Sequence, residues 1–267
     1  MNRGTALLLL SILWLSGGCA ARAEEADGLQ FPATPRDSIE DADIEYARML
    51  TSQAAPQPPS GGWQGPLAGA PAGMLVYGKM DNSGGAPAAK FFVLGTIANA
   101  SAEAVVATVE GSDFAERTRW DPSCLVLETL KKEGMDDIVH WVSDFPWPIS
   151  DREFVFRRRL MRDGATGAVA VSKAISPSDG WVPVESSKVR IRDFVQYSSV
   201  SALEDGSGVS IALLYRNNME ANLPAWVVNW FAAKGLPLYL GELVTAARNW
   251  KGPSSPPQAS LHTKEEM

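Results

Sequence analysis

This sequence contains few cysteines and few histidines, and it has no excess of positive charge. The two cysteines stand far apart, Cys19 near the N-terminus and Cys124 in the body, so we expect no disulfide in the mature protein. Cys124 is then a small core residue, with a reactive thiol as the alternative. The 24 lysines and arginines against 31 acidic residues give a net charge of -7. This excludes a basic field that attracts nucleic acid, and any membrane contact should be mainly apolar.

The lack of histidine restricts the enzyme chemistry that the chain could perform. With only His140 and His262, a Ser-His-Asp site would have to use His140. The sequence also shows no metal-ligand cluster, phosphate-binding loop or nucleophile elbow. We therefore expect no catalytic residue, no metal ion and no cofactor.

The first 23 residues have the pattern of a secretory signal peptide. A single cation, Arg3, precedes the apolar stretch 6–15, which is too short to span a bilayer. Residues 21–23 (Ala, Arg, Ala) then satisfy the small-x-small rule for cleavage before Glu24. We predict a signal peptide over residues 1–23 and export to a periplasm, an organelle lumen or the medium.

Two alternatives for this leader stay open. The Ser-Gly-Gly-Cys sequence ending at Cys19 is an imperfect lipoprotein signal, because Ser16 stands where an aliphatic residue is expected. In the first alternative the exported chain is lipidated and anchored at Cys19. In the second the leader is retained uncleaved as an anchor.

The 267 residues, 45% of them hydrophobic, suffice for one large domain or two small ones. An acidic start and apolar spacing predict a first helix over residues 37–52, and a second helix follows Ser101 as its cap. Eight apolar or alternating runs predict strands: the first two form a hairpin, and the six after the second helix form a long antiparallel meander. They are MLVYGKM, FFVLGTI, CLVLETL, DIVHWVSDF, EFVFRRRLM, AVAVSKAI, KVRIRDFVQYSSV and VSIALLYRN.

The C-terminal part has a long helical pattern over residues 223–250, interrupted near Gly235 and Pro237. The tail, residues 251–267, is rich in proline and serine, and we expect it to be disordered. Helices, an antiparallel sheet and a final long helix predict an α+β domain whose last helix lies across the concave face of a curved sheet. Such a domain encloses space suited to an elongated apolar ligand.

Three segments, in order and at compatible spacing, resemble START (StAR-related lipid transfer) domains. They are RTRWD at 117–121, FPWPISDREFVFRRR at 145–159 and LPAWVVNWFAAKGLP at 223–237. The resemblance covers residues 37–250 and is greatest to the phosphatidylcholine-transfer branch. It implies a helix-grip fold whose internal cavity holds one phospholipid, most specifically phosphatidylcholine, which the protein moves between membranes.

The resemblance also implies which residues hold the lipid head group. The phosphate-binding pair falls on Arg117 and Asp121, and the three rings that surround choline fall on Trp141, Phe154 and Phe194. The last two stand where this branch has tyrosine. Loss of the phenol oxygen removes a hydrogen bond but keeps the ring face that attracts a quaternary ammonium.

The alternation of side chains along the strands is independent of the family resemblance, and it supports a polar surface on the inner face. It places Trp141 on the face opposite His140, and it groups Phe154, Phe156 and Arg158 on one face. A third group shares one face of the run KVRIRDFVQYSSV: Arg190, Arg192, Phe194, Gln196 and Ser198. Buried charges need partners, and lipid phosphate and ester oxygens would serve, so Arg158 and Gln196 join the predicted head-group site.

Each of these assignments has a structural alternative. The rings could be ordinary core, and Arg117 could be only an exposed partner of Asp121 at i+4. Arg158 could form a structural salt bridge. START domains that bind cholesterol pair this position with a glutamate, whereas the facing strand here is expected to offer Val139 or His140, which argues against a sterol.

The last helix is the predicted lid. Trp226, Trp230 and Phe231 suit a bilayer interface, and the break at Gly235 and Pro237 suits a hinge. The alternative is a static helix that covers the sheet. We expect a monomer with a phospholipid ligand and transient membrane contact.

Two other function classes stay open. One is a lipid-responsive sensor or scaffold. The other is a cyclase-like or hydratase-like enzyme, because related helix-grip folds act on polyketides.

Overall fold

The computed structural model describes residues 32, 34–35, 38–52, 62–81, 88–145, 149–176, 180–183, 187–218 and 231–253. Its helices are α1 (Asp41–Ser52), α2 (Ala102–Glu110), α3 (Phe114–Arg117) and α4 (Leu236–Asn249), the last preceded by a π-helical turn, Phe231–Gly235. Its strands are β1 (Met74–Asp81), β2 (Ala88–Ala98), β3 (Cys124–Glu133), β4 (Asp136–Ser143), β5 (Arg152–Arg162), β6 (Gly167–Ala174), β7 (Val189–Ile191), β8 (Asp193–Ala202) and β9 (Gly208–Asn218). None of the helices in these ranges is long and apolar enough to cross a bilayer. The predicted signal peptide, most of the predicted tail, Trp226 and Trp230 lie outside the described residues.

The strands form one curved sheet in the order β1-β2-β9-β8-β6-β5-β4-β3. Neighbours in this order are antiparallel, while the short β7 pairs with β5 in parallel. The predicted meander is confirmed from β3 onward, and α2 and α3 carry the chain from the β1–β2 hairpin to the opposite edge. The predicted α+β class is confirmed.

Alternating side chains divide the sheet into two covered faces. On the outer face, α1 packs through Ile44 and Leu50 against residues such as Phe92 and Tyr197. On the inner face, α2 and α4 pack against residues such as Phe91 and Val93, which alternate with the outward-facing residues of β2. Each large apolar side chain buried in this way contributes about 1.5–3 kcal/mol. The last helix, which the sequence predicted to lie across the inner face of the sheet, is α4.

Helix α2 begins as its sequence predicts. The Ser101 side chain accepts a hydrogen bond from the Ala104 N–H at 3.1 Å and satisfies one of the free donors of the first turn.

This cap gives a small, clean stability prediction. Ser101→Ala should lower the free energy of unfolding by about 1 kcal/mol, whereas Ser101→Gly should cost only a few tenths. Urea denaturation of the three proteins measures both values. Equal losses in the two variants would mean that the cap does not stabilise α2.

The run KVRIRDFVQYSSV is two strands rather than one, which corrects the predicted faces. Arg192 lies between β7 and β8 and belongs to neither strand, so the alternation does not continue through it. Arg190 lies opposite Glu153 in the parallel β5–β7 pair and donates to its carboxylate at 2.8 Å. Arg190 therefore belongs with the outer-face residue Glu153, whereas Phe194 and Gln196 point inward as predicted.

Candidate functional site

A cavity of about 670 Å³ lies between the inner face of the sheet and helices α2, α3 and α4. Its volume is within the roughly 300–1,000 Å³ range of small-molecule sites. Much of its wall is apolar: Phe91, Val93, Leu127, Leu213, Leu236 and Leu240. All seven predicted head-group residues line this one cavity: Arg117, Asp121, Trp141, Phe154, Arg158, Phe194 and Gln196.

Arg117 is the buried cation of the cavity. It ends α3, and its Nε donates to Asp121 Oδ2 at 3.0 Å. Its two terminal nitrogens donate to the Thr108 carbonyl at 3.1 Å and to the Tyr239 hydroxyl at 3.2 Å. A guanidinium has five N–H donors, so the three bonds to described residues leave two that a ligand could use. The alternative of an exposed i,i+4 pair is wrong, because Arg117 is only 8% exposed and Asp121 3%.

The surroundings of Arg117 hold it in the charged form. Burial alone would lower the pKa of this guanidinium, but Tyr239 and the Asp121 carboxylate hold the pKa above its ordinary value. For the Tyr239 phenol, burial acts in the opposite direction and raises the pKa. The pair therefore presents a permanent cation beside a neutral hydroxyl.

The three predicted rings lie together in one aromatic cluster. Trp141 and Phe154 are stacked with centroids 4.8 Å apart, and Phe194 meets Phe154 edge to face at 5.5 Å. Tyr215 extends the cluster with its ring 5.6 Å from Phe194. The Arg117 guanidinium lies 5.8 Å from the Trp141 centroid. The cation of Arg117 and the aromatic cluster are thus immediate neighbours.

Arg158 faces an acid, which corrects the predicted pairing. Strand β4 places Asp137 directly opposite Arg158, and the two side chains form an ion pair at 3.1 Å. Val139 lies instead opposite Phe156. The register depends on where the strands begin on either side of the connecting segment 144–151, which alternation alone does not specify. The argument against a sterol that used Val139 or His140 therefore has no basis in the structure.

Arg158 is also held by α2 and the segment that follows it. Its guanidinium donates to the Glu110 carbonyl and, at 2.6 Å, to the Ser112 hydroxyl. The structural salt bridge considered for this residue is therefore present within the cavity wall.

Glu110 contributes a carboxylate that the sequence analysis missed. This last residue of α2 is 6% exposed and lines the cavity. Its Oε1 accepts from the Ser198 hydroxyl at 2.6 Å and from the Gln196 amide at 3.3 Å. Gln196 thus lies where predicted, but its partner in the structure is a helix residue.

Tyr215 and Tyr239 were also missed, although their patterns could have indicated them. Alternation along VSIALLYRN places Tyr215 on the same face as Leu213. Tyr239 follows Leu236 by three residues, so both lie on the inward side of α4. The Tyr239 ring is 5.5 Å from that of Trp120. Helix α4 therefore closes over the Arg117 site.

The predicted lid is described only in its second half. Phe231 opens the π-helical turn, and the predicted break at Gly235 and Pro237 coincides with the change from this turn to α4. Leu238 lines the cavity and is 66% exposed, so it stands at the rim.

His140 lies apart from the cavity, as alternation predicts. Its ring nitrogens lie 3.0 Å from carboxylate oxygens of Glu128 and Glu153 on the outer face. Within the described ranges, no group of three or more histidine, cysteine, aspartate or glutamate side chains could hold a metal ion. Cys124 is free and buried, in agreement with the core assignment.

The architecture and its enclosed site define the class: an α+β domain in which a curved sheet and a C-terminal helix surround a ligand cavity. The chain belongs to the START domain family, which it matches over residues 60–251. Family membership supports lipid binding as the general role of the cavity.

Individual relatives of this chain agree with the family assignment. The chain is 32% identical to the bovine (Bos taurus) phosphatidylcholine transfer protein over 142 residues, which are 52% of this chain and 65% of that protein. It is 28% identical to the mouse (Mus musculus) phosphatidylcholine transfer protein over 181 residues, 67% of this chain and 81% of that protein. Among solved structures, human STARD10 superposes with a TM-score of 0.63 at 18% identity, covering 79% of this chain and 80% of that one. The last comparison supports the fold.

Proposed function

We propose that this protein carries one phospholipid, phosphatidylcholine, and moves it between membranes without chemical change. The observation that carries the proposal is the position of Arg117 beside the aromatic cluster in a largely apolar cavity. Arg117 is a buried cation, and two of its donors have no partner among the described residues. The similarity to phosphatidylcholine transfer proteins supports the same ligand. A zwitterionic head group needs both elements, a donor for phosphate and a surface for a quaternary ammonium.

The phosphate is assigned to Arg117. A phosphate oxygen accepts charge-assisted hydrogen bonds, which are stronger than neutral ones. Asp121 orients the guanidinium through Nε, and its other oxygen is itself held by the Ser123 hydroxyl at 2.6 Å. Asp121 is therefore a positioning residue rather than a phosphate ligand.

The choline group is assigned to the aromatic cluster. Quaternary ammonium groups bind ring faces, and each contact contributes about 0.5–2 kcal/mol, with the larger values in desolvated sites. Trp141 and Phe154 use one face each to stack on one another. Choline must therefore approach the cluster from its cavity side, along Phe194 and Tyr215.

The acyl chains require an opening movement. Each buried CH₂ contributes about 0.8 kcal/mol, so a lipid leaves a membrane only if the cavity encloses both chains almost completely. We assign the opening to the C-terminal segment that includes Trp226, Trp230 and Phe231. The bond from Arg117 to Tyr239 connects α4 to the phosphate site, so phosphate binding and closure would be coupled.

We also propose that the leader exports the carrier, with cleavage after Ala23, and that the mature protein acts as a monomer in transient contact with membranes. The membrane contact should be mainly apolar because the chain carries a net charge of -7.

Transfer of fluorescent phosphatidylcholine between donor and acceptor liposomes tests the proposal. Purified protein, in amounts well below those of the lipid, should accelerate transfer and leave the lipid unaltered. Binding without transfer would favour the sensor or scaffold alternative, and a chemically altered product would favour an enzyme.

Trp141 gives a prediction on head-group choice. Trp141→Ala should weaken phosphatidylcholine binding about 3- to 30-fold and phosphatidylethanolamine binding less, because a hydrogen-bonding ammonium depends less on ring faces. Competition between the two lipids with identical acyl chains measures the ratio. Trp63→Ala removes a ring that meets Phe92 on the outer face and is the control. Equal losses for the two lipids would remove the cluster from choline recognition.

A further inference from the structure

Among the described residues, the buried charges that line the cavity are not balanced, and Glu110 is the reason. The two buried arginines that line it each have a carboxylate partner: Arg117 has Asp121 and Arg158 has Asp137. Glu110 is buried to the same degree, yet no lysine, arginine or histidine among the described residues forms an ion pair with it. A buried carboxylate without a counter-charge is unfavourable.

The carboxylate is held in place but not saturated. Both of its hydrogen bonds, from Ser198 and Gln196, are accepted by Oε1. Oε2 has no hydrogen-bond partner among the described residues. Since Glu110 lines the cavity, this free oxygen belongs to the surface that a ligand contacts.

Glu110 is connected to the aromatic cluster through Gln196. Gln196, which donates to Glu110 at 3.3 Å, follows Phe194 by two residues on the same face of β8, a spacing of about 7 Å. Gln196 also lies directly opposite Tyr215 in β9. The ring surface of Phe194 and Tyr215 and the Glu110 carboxylate therefore border the same part of the cavity.

We propose that Glu110 is the counter-charge for the ammonium group of the lipid head group and so determines that the cavity takes zwitterionic rather than purely anionic phospholipids. This inference rests on the proposed function. Ring faces attract a cation but carry no net charge, and Glu110 supplies the charge. An anionic lipid such as phosphatidic acid has no ammonium to offer and meets a repulsive carboxylate instead.

The test is lipid uptake from vesicles that contain equal amounts of phosphatidylcholine, phosphatidylethanolamine and phosphatidic acid with identical acyl chains. Native mass spectrometry of the recovered protein gives the three occupancies. The wild type should take the two zwitterionic lipids over phosphatidic acid. Glu110→Gln should shift the ratio of zwitterionic to anionic lipid at least tenfold toward phosphatidic acid.

Glu103→Gln is the matched control, because Glu103 is an exposed acid two turns earlier on α2. It should leave the ratio unchanged. If Glu110→Gln takes up the three lipids in the same proportions as the wild type, the proposed role of Glu110 is overturned while the carrier function stands. If Glu110→Gln does not fold, the wild type alone decides, and a preference for phosphatidic acid contradicts the inference.

Failure of the carrier proposal would be visible separately. Wild-type protein that takes up none of the three lipids would contradict the proposed function. Calorimetry with tetramethylammonium then tests Glu110 directly. Binding to wild type that is lost in Glu110→Gln supports the counter-charge role, and absent or equal binding overturns it.

Discussion

Arg117→Met should lower the affinity for every phosphate-bearing lipid by at least about 10- to 100-fold, because even one hydrogen bond to a charged group contributes about 1.5–3 kcal/mol. The loss should be similar for phosphatidylcholine, phosphatidylethanolamine and phosphatidic acid, since all three present the same phosphate. Equilibrium binding to vesicles of each lipid measures the three affinities. Unchanged affinities would remove Arg117 from the site.

The same substitution leaves the Asp121 carboxylate buried and without its cation. Removing one partner of a buried pair typically costs about 3–5 kcal/mol, so Arg117→Met should also be markedly less stable. The double variant Arg117→Met/Asp121→Leu separates the two effects, because it removes both charges. It should recover most of the stability but none of the affinity. Arg48→Met, at an exposed ion pair with Asp163, should alter neither property.

Lys173→Met should strongly destabilise the protein at a site away from the cavity. Lys173 in β6 pairs at 2.7 Å with Asp43 of α1, and Asp43 is fully buried. Loss of the cation should cost about 3–5 kcal/mol, equivalent to roughly 6–20 °C in Tm for a domain of this size. Thermal unfolding measures the shift. Lys131→Met, at an exposed pair with Glu133, is the control and should cost less than about 1 kcal/mol.

The pH dependence of this pair follows from the direction of the Asp43 pKa shift. Burial alone would raise the pKa of Asp43, but bonds from Lys173, the Glu40 N–H, Tyr197 and Thr34 hold it below its ordinary value. A carboxyl group with a lowered folded-state pKa stabilises the protein above its unfolded pKa of about 3.9. That stabilisation is lost as pH falls through the lower folded value. The deficit of Lys173→Met should therefore be full at pH 7 and shrink in acid as Asp43 becomes protonated in the folded state. A deficit independent of pH would contradict the assignment.

Strand alternation predicted the inward side chains well because each strand repeats every two residues whatever its neighbours are. Trp141, Phe154 and Phe194 all face the cavity for this local reason. The same rule failed at Arg190, where the pairing stops at Arg192 and the phase of the alternation changes. A break of this kind depends on tertiary pairing and leaves no clear mark in the sequence.

Pairings between elements could not be predicted from local patterns. Asp137 meets Arg158 through a register that the strand sequences alone do not determine. Asp43 meets Lys173 across 130 residues, when α1 packs on the outer face. Glu110 and Tyr239 enter the cavity from helices whose positions follow from packing on the sheet. The family resemblance predicted residues for the rings and the phosphate site but not these contacts.

The central claim is that one phospholipid occupies the cavity. Native mass spectrometry of the purified mature protein, after incubation with mixed liposomes and followed by identification of the bound lipid, tests it most directly. The account predicts one phosphatidylcholine molecule per chain. An empty protein, or one that holds a sterol or an aromatic compound, would contradict it.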